Sequence, residues 1–218
     1  MTALSLLEIA SRLSGFGTST VGAVLDDLGL GGLITRLRPI APGFRFAGPA
    51  FTAKLEVGEL GTFAPEAFDI SAYIDKPPKG YVVAVDAGGA PVSALGSIAV
   101  RVAQQRELVA IVIDGGSRDL DETLRMGFPL FIRHSLPVTG RRRIRLVATG
   151  VPIMLDGISI NPDDMLVGDD TGIVRVPAGS VAEVDRRAAA IDARDRRARE
   201  AVESGLGFAE AFRAAGVP

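Results

Sequence analysis

The sequence predicts an α/β fold: one domain with a central parallel βαβ portion, an antiparallel β layer beside it and a C-terminal helix. Three observations lead there. Between Tyr81 and Arg133, apolar runs of strand length alternate with helix-length stretches. Between Arg145 and Val176, short β runs follow one another across turns with no helix between them. From Val181 to Ala215 the chain reads as a long polar helix with a break near Gly205 to Gly207. No internal repeat or low-complexity linker divides the 218 residues, so residues 1–218 are expected to form a single domain.

Taken in order, Leu4 to Leu13 carries apolar residues at helical spacing, and Gly15 marks its exit. Ser19 or Thr20 is placed to cap a short helix over Val21 to Leu28, which Gly29, Gly31 and Gly32 end. Prolines and glycines punctuate Leu37 to Gly48, and Ala50 to Val57 then alternates as a strand does. Phe63 to Tyr73 reads as helical, and Lys76 to Gly80 as a turn with paired prolines. The regular portion follows. Tyr81 to Asp86 is a buried strand, Ala87 to Val92 a loop, and Ala94 to Arg106 a helix. Leu108 to Asp114 is a second strand, Gly115 to Arg118 a turn, and Leu120 to Met126 a helix ended by Gly127. Pro129 to Arg133 opens a third strand. The turns Asn161-Pro162 and Asp169-Asp170 then punctuate the antiparallel portion.

Composition removes several function classes. With 47 % hydrophobic residues a membrane reading needs testing, but Asp114 and Asp86 cut the apolar runs far short of the ~20 residues a bilayer requires. Glu8 and Arg12 interrupt the apolar start, so no signal peptide is read there and a cytoplasmic location is expected. The absence of cysteine excludes disulfides, thiolate nucleophiles and zinc–thiolate sites. A net charge of −2 supplies no basic field for nucleic acid. One histidine, His134, rules out a multi-histidine site within one chain. A metal would therefore be held by carboxylates, carbonyls and water, which favours Mg²⁺ or Mn²⁺.

Ligands of parallel sheets collect beyond the carboxyl ends of the strands, and two such ends stand out. Val85-Asp86-Ala87-Gly88-Gly89 leads to Ala94-Leu95-Gly96-Ser97-Ile98-Ala99, where the first turn of a helix can seat an anion on its amides. Alternatively, these glycines serve only a tight turn and close packing. The second end, Ile113-Asp114-Gly115-Gly116-Ser117-Arg118-Asp119, delivers a guanidinium and a carboxylate side by side. Arg118 can bind a carboxylate in two-pronged fashion while Asp119 holds a divalent cation. The alternative is that Asp119 caps the helix starting at Leu120 and Arg118 forms a surface ion pair. Asp114 reads as structural, His134 as a surface or interface residue, and Arg141 to Arg143 as a solvated loop. Arg186 to Arg199 reads as a salt-bridged exposed helix.

The segment VVAVDAGG…ALGSIA…LVAIVIDGGSRDLDETLRMGFPLFIR resembles the signature region of RraA-like proteins. These include 4-hydroxy-4-methyl-2-oxoglutarate aldolases, oxaloacetate decarboxylases and the regulator of ribonuclease E activity. Thr20 to Leu28, Pro39 to Gly43, Ala47 to Ala50, Asn161 to Asp164 and Gly168 to Pro177 extend the resemblance over nearly the whole chain. It implies a compact β/β/α fold and a metal-dependent carbon–carbon lyase that releases pyruvate from short α-keto acids. It also implies a homotrimer or homohexamer with sites at subunit interfaces. Carried over, the metal-binding aspartate is Asp119, the substrate-binding arginine Arg118, and the carboxylate-gripping amides those of Gly96, Ser97, Ile98 and Ala99. Asp195 stands as the counterpart of an acid supplied by the neighbouring subunit. In one departure, Ser97 occupies a position where aldolase members carry an acid, which weakens proton abstraction in aldol cleavage more than decarboxylation. The same family holds a catalytically silent protein-binding regulator, and that alternative stays open.

Overall fold

The computed structural model describes residues 5–216. Leu4, the expected start of the first helix, lies outside the described residues.

Helix α1 (Leu6–Leu13) opens on a capping box: the Ser5 hydroxyl accepts from the Glu8 amide (3.3 Å), and the Glu8 carboxylate accepts from the Ser5 amide (2.6 Å). Helix α2 (Thr18–Asp27) begins earlier than expected, and its N-cap is Gly17 rather than Ser19 or Thr20. The reason is non-local. Asp169 reaches Thr18 and accepts from its amide (2.9 Å) and its hydroxyl (2.7 Å), replacing a local cap.

Strands β1 (Leu33–Ile34) and β2 (Arg38–Pro39) are short, and β3 (Phe46–Val57) is long. β3 starts before the expected Ala50 because its first residues find a separate partner strand. The helix expected over Phe63 to Tyr73 does not form. A 3-10 turn at Pro65–Ala67 gives way to the single-turn α3 (Ser71–Ile74). Asp69 restarts the chain there, accepting from the Ser71 hydroxyl (2.6 Å) and the Ala72 amide (3.2 Å). Tyr73 then anchors α3, its buried hydroxyl donating to the Ala94 carbonyl (2.7 Å).

The regular portion comprises β4 (Val82–Asp86), β5 (Ser93–Leu95), α4 (Ser97–Gln105), β6 (Ala110–Ser117), α5 (Leu120–Met126) and β7 (Leu130–Ser135). Two sequence boundaries move. The helix expected from Ala94 starts at Ser97, because Ser93 to Leu95 pairs with the end of β6. The turn expected over Gly115 to Arg118 is strand as far as Ser117. Gly115 and Gly116 are small for packing: a β-carbon on Gly115 would lie 2.8 Å from that of Ala87, and one on Gly116 2.7 Å from Leu136 Cδ2.

The antiparallel portion follows as β8 (Ile144–Thr149), β9 (Ile153–Leu155), β10 (Ile158–Ile160), β11 (Met165–Asp169) and β12 (Gly172–Val176). Helices α6 (Val181–Glu203) and α7 (Phe208–Ala214) complete the chain on either side of the expected break.

Strands β3, β4, β6 and β7 run parallel in that order, with β2 antiparallel on β7 and β8 antiparallel on β3. β3 serves two ladders. Phe46 to Pro49 pair antiparallel with Gly168 to Met165 of β11, and Ala50 to Lys54 pair parallel with β4. The antiparallel layer β11–β12–β1 is thereby tied to the parallel strands. On one face of the parallel strands Val83, Val85, Ile111 and Ile113 pack with Val100 and Ala103 of α4. On the other, Ala84, Val112 and Phe131 meet Leu155, Ile160 and Leu166. A third cluster closes α1, α2 and α6 over Val167 and Val174. The result is the mixed α/β architecture expected from the sequence, with the ends of β5 and β6 brought together. Among the described residues, no helix is long and apolar enough to cross a membrane.

Candidate active site

The site is built where β5 and β6 end side by side. The Ser117 hydroxyl donates to the Leu95 carbonyl (3.2 Å), and the Arg118 amide approaches the same oxygen (3.4 Å). That tie fixes the chain leaving β6 against the chain entering α4.

The turn falls on Asp119 itself. Its backbone is left-handed (φ 58°, ψ 38°), a conformation that Asp adopts more readily than most residues but still at a cost. Asp119 occupies the N-cap position of α5, yet its side chain forms no capping bond. Its carbonyl does the local work, accepting from the Thr123 amide (3.2 Å) and hydroxyl (3.3 Å). The carboxylate is left half-exposed, 3.4 Å from Arg118 Nε. The capping half of the alternative therefore fails, whereas its surface ion pair is present, formed by Arg118 with Asp119 itself.

Gly96 supplies the room. A β-carbon there would collide with Asp119 Oδ2 and stand 3.0 Å from Arg118 Nε. Gly96 is also the N-cap of α4, and its carbonyl accepts from the amides of Ala99 (3.1 Å) and Val100 (3.4 Å). The amides of Ser97 and Ile98 have no acceptor within the helix and carry its positive end, whereas the Ala99 amide, also expected to grip a carboxylate, is spent on the Gly96 carbonyl. Ser97 itself is only 4 % exposed, whereas Ile98 is 81 % exposed.

Around these groups lies a cavity of about 360 Å³. One wall is Gly96, Ile98, Ala99, Val102, Arg118 and Asp119. The facing wall, which the sequence did not reveal, is Ile70, Ser71, Ile74 and Asp75. Its signal was masked by reading residues 63–73 as one helix, when only the single turn anchored by Tyr73 faces the site.

The other candidates lie elsewhere. Asp195 sits on α6 beside a separate groove with Ala198 and Phe208, 3.6 Å from Arg194. Asp114 is structural, its oxygens accepting from Arg133 Nε (2.6 Å) and the Asp156 amide (2.6 Å). Burial pushes the Asp156 carboxyl up, but bonds from Arg36, Arg133 and Thr35 outweigh it and hold it below the usual range. His134 Nε2 meets the Gly89 carbonyl at 2.9 Å; since a carbonyl only accepts, Nε2 carries the hydrogen. Gly88 and Gly89 serve the tight turn, both at positive φ.

The donor set fits a hard cation of the Mg²⁺ type. Among the described residues no three acidic or histidine side chains converge. Mg²⁺ is nevertheless commonly held by one or two carboxylates, with water and substrate oxygens completing the shell. Asp119 offers such a ligand, with Asp75 on the facing wall.

Comparison with known proteins places this geometry in context. A family model described as RraA-like, Aldolase/RraA, matches residues 21–175. Protein DlpA of Legionella pneumophila is 27 % identical over 201 residues, 91 % of this chain, which spans only 32 % of DlpA. A Halalkalibacterium halodurans protein named "Putative 4-hydroxy-4-methyl-2-oxoglutarate aldolase" is 25 % identical over 201 residues, 92 % of this chain and 91 % of that one. Among solved structures, an uncharacterized protein from Pseudomonas syringae pv. tomato superposes with a TM-score of 0.85. It is 31 % identical, and the match covers 97 % of this chain and 99 % of that one. RraAS2 of Streptomyces coelicolor, described as an unusual member of the RNase ES inhibitor RraA family, has a TM-score of 0.79. At 24 % identity, over 90 % of this chain and 98 % of that one, this likeness is one of fold.

Proposed function

This chain belongs to the RraA-like family, and we propose that it is a divalent-metal-dependent carbon–carbon lyase acting on a short α-keto acid and releasing pyruvate. The reaction is aldol cleavage of a substrate of the 4-hydroxy-4-methyl-2-oxoglutarate type, decarboxylation of oxaloacetate, or both. The observation that carries the proposal is the half-exposed Asp119 carboxylate, which makes no capping bond and stands 3.4 Å from Arg118 Nε at the wall of the cavity.

Each group has a distinct task. Arg118 pairs with the carboxylate of the keto acid, helped by the unpaired amides at the start of α4. Asp119 holds Mg²⁺ or Mn²⁺, which when bound supplies Lewis acidity toward the ketone oxygen. Gly96 keeps the space between these groups clear of a side chain. The apolar wall of Ile74 and Val102 keeps part of the substrate from water.

The active form is proposed to be a homotrimer or homohexamer, in which a neighbour covers Ile98 at the rim and Asp195 of the adjacent chain joins the site. The exposure of so large an apolar side chain beside the cavity supports this. Pyruvate release from a small panel of keto acids, with and without Mg²⁺, tests the reading. Release that depends on the metal is expected; none from any keto acid would overturn it.

A further inference from the structure

Both walls of the cavity hang from two successive carbonyls of β5. The Leu95 carbonyl holds the side that carries Arg118 and Asp119. It accepts from the hydroxyls of Ser93 (2.6 Å) and Ser117 (3.2 Å), with the Arg118 amide at 3.4 Å. The Ala94 carbonyl holds the facing side, through the Tyr73 hydroxyl at 2.7 Å. That facing side is α3, a single turn too short to keep its shape and place unaided. Asp69 steadies its start from an exposed position, and the fully buried Tyr73 ties it to β5. Burial, with the charge of Asp69 adding to it, pushes the phenol's pKa up, so the hydroxyl keeps the proton it donates.

We propose that Tyr73 is a positioning residue: its bond to the Ala94 carbonyl sets the gap between α3 and the Arg118–Asp119 wall, and with it the fit of keto acids longer than pyruvate. This rests on the keto-acid reading above and deepens it. Arg118, Asp119 and the start of α4 all belong to one wall, so the polar groups of a three-carbon keto acid find their partners there. A longer chain has the opposite wall left to lie against, formed by Ile70, Ser71, Ile74 and Asp75. That wall has a fixed place only while α3 is held to β5. Without the hydroxyl, the carbonyl of the buried Ala94 loses a partner, and entering water or a shift of α3 must make good the loss. Either change alters the gap without touching Arg118 or Asp119.

Calorimetry of full-length Tyr73→Phe, well below its melting temperature, tests this with Mg²⁺ alone and then with pyruvate or 2-oxoglutarate in saturating Mg²⁺. The ring stays in the core, so the variant is expected to fold, with a lowered melting temperature. Its Mg²⁺ titration should match that of the wild type, and pyruvate affinity should stay within about threefold. 2-Oxoglutarate should bind about tenfold more weakly, the scale of one lost hydrogen bond in a buried setting. Turnover of the longer substrates should split in the same way, KM rising while kcat holds within about threefold. Asp69→Ala loosens the same turn from its exposed end with Tyr73 intact, and should weaken 2-oxoglutarate in the same direction. Unchanged 2-oxoglutarate affinity in folded Tyr73→Phe would make the tie purely structural and overturn the proposal. Equal weakening of Mg²⁺, pyruvate and 2-oxoglutarate would overturn it as well. If Tyr73→Phe does not fold, unchanged 2-oxoglutarate binding in Asp69→Ala has the same force. The predicted split without pyruvate release from any keto acid would sink the lyase reading and leave the role of Tyr73 standing. A wild type that binds neither keto acid would remove both.

Discussion

Gly96 leaves open the space that the carboxylate of Asp119 occupies: a β-carbon at position 96 would run into Asp119 Oδ2 and sit 3.0 Å from Arg118 Nε. The glycine is required by the pair it faces, since its own φ of −133° is open to any residue. Gly96→Ala should therefore preserve the fold and displace the pair. A loss of about 10²-fold in turnover is expected from a displacement on the order of 1 Å, with little change in the melting temperature. Wild-type turnover in this variant would mean that the pair is not the reacting centre.

Asp119→Asn tests the metal directly. Asparagine tolerates the left-handed backbone as aspartate does, and the bonds donated by Thr123 are accepted by the carbonyl of residue 119, not by its side chain. The variant should fold normally and lose Mg²⁺ binding, with metal-dependent turnover down by about 10²-fold or more. Excess chelator should do the same to the wild type. Unchanged calorimetric titration with Mg²⁺ would count against Asp119 as the ligand.

Much of this site was legible in the sequence, for identifiable reasons. Arg118 and Asp119 come a few residues after the apolar run Leu108 to Ile113, so their place near the mouth of the sheet needed only the βαβ pattern. What the pattern could not convey was why Gly115 and Gly116 are glycine. They relieve contacts with Ala87 and Leu136, which only tertiary structure brings near. The start of α2 was hidden in the same way, because its cap is supplied by Asp169 from the far end of the chain. The α3 wall was missed because Asp69 breaks the helical reading with a local side-chain bond. Ser97 is the sharpest lesson. The resemblance puts a proton-accepting acid of aldolase members at this position, yet the residue is buried at 4 % exposure. A carboxylate introduced by Ser97→Asp would first incur the desolvation cost of burying a charge, on the order of several kcal/mol, so a lowered melting temperature is expected alongside any change in rate.

Assembly is open to a direct measurement. Ile98 at the cavity rim and Phe208 on α7, 81 % and 76 % exposed, are large apolar side chains on separate parts of the surface. Light scattering should return the mass of a trimer or hexamer at micromolar concentration, with activity falling on dilution as copies separate. A monomer that retains full turnover would contradict the shared site.

Two carboxylates predict opposite responses to acid. Burial alone would push Asp169 up, but the bonds it accepts from Thr18 and Thr171 prevail and hold its carboxyl below the usual range. A group depressed in the folded state contributes stability above its unfolded pKa of about 3.9, and that contribution is lost as pH falls through the folded value. Asp169→Asn should therefore cost about 1.5–3 kcal/mol at pH 7, the scale of charged hydrogen bonds, and progressively less below about pH 4. Asp185 behaves in reverse. Burial raises its carboxyl, with Arg12 at 3.1 Å pulling the other way, and its Oδ1 is buried without a hydrogen-bond partner. A raised group favours the folded state below its unfolded pKa and loses that contribution as pH climbs through the folded value. Asp185→Asn should then melt at or above the wild type at pH 7, the difference closing on acidification. Denaturant melts of both variants at pH 7 and near pH 3.5 distinguish the two. Curves that shift in parallel at both pH values would show that neither carboxyl's ionisation is coupled to folding.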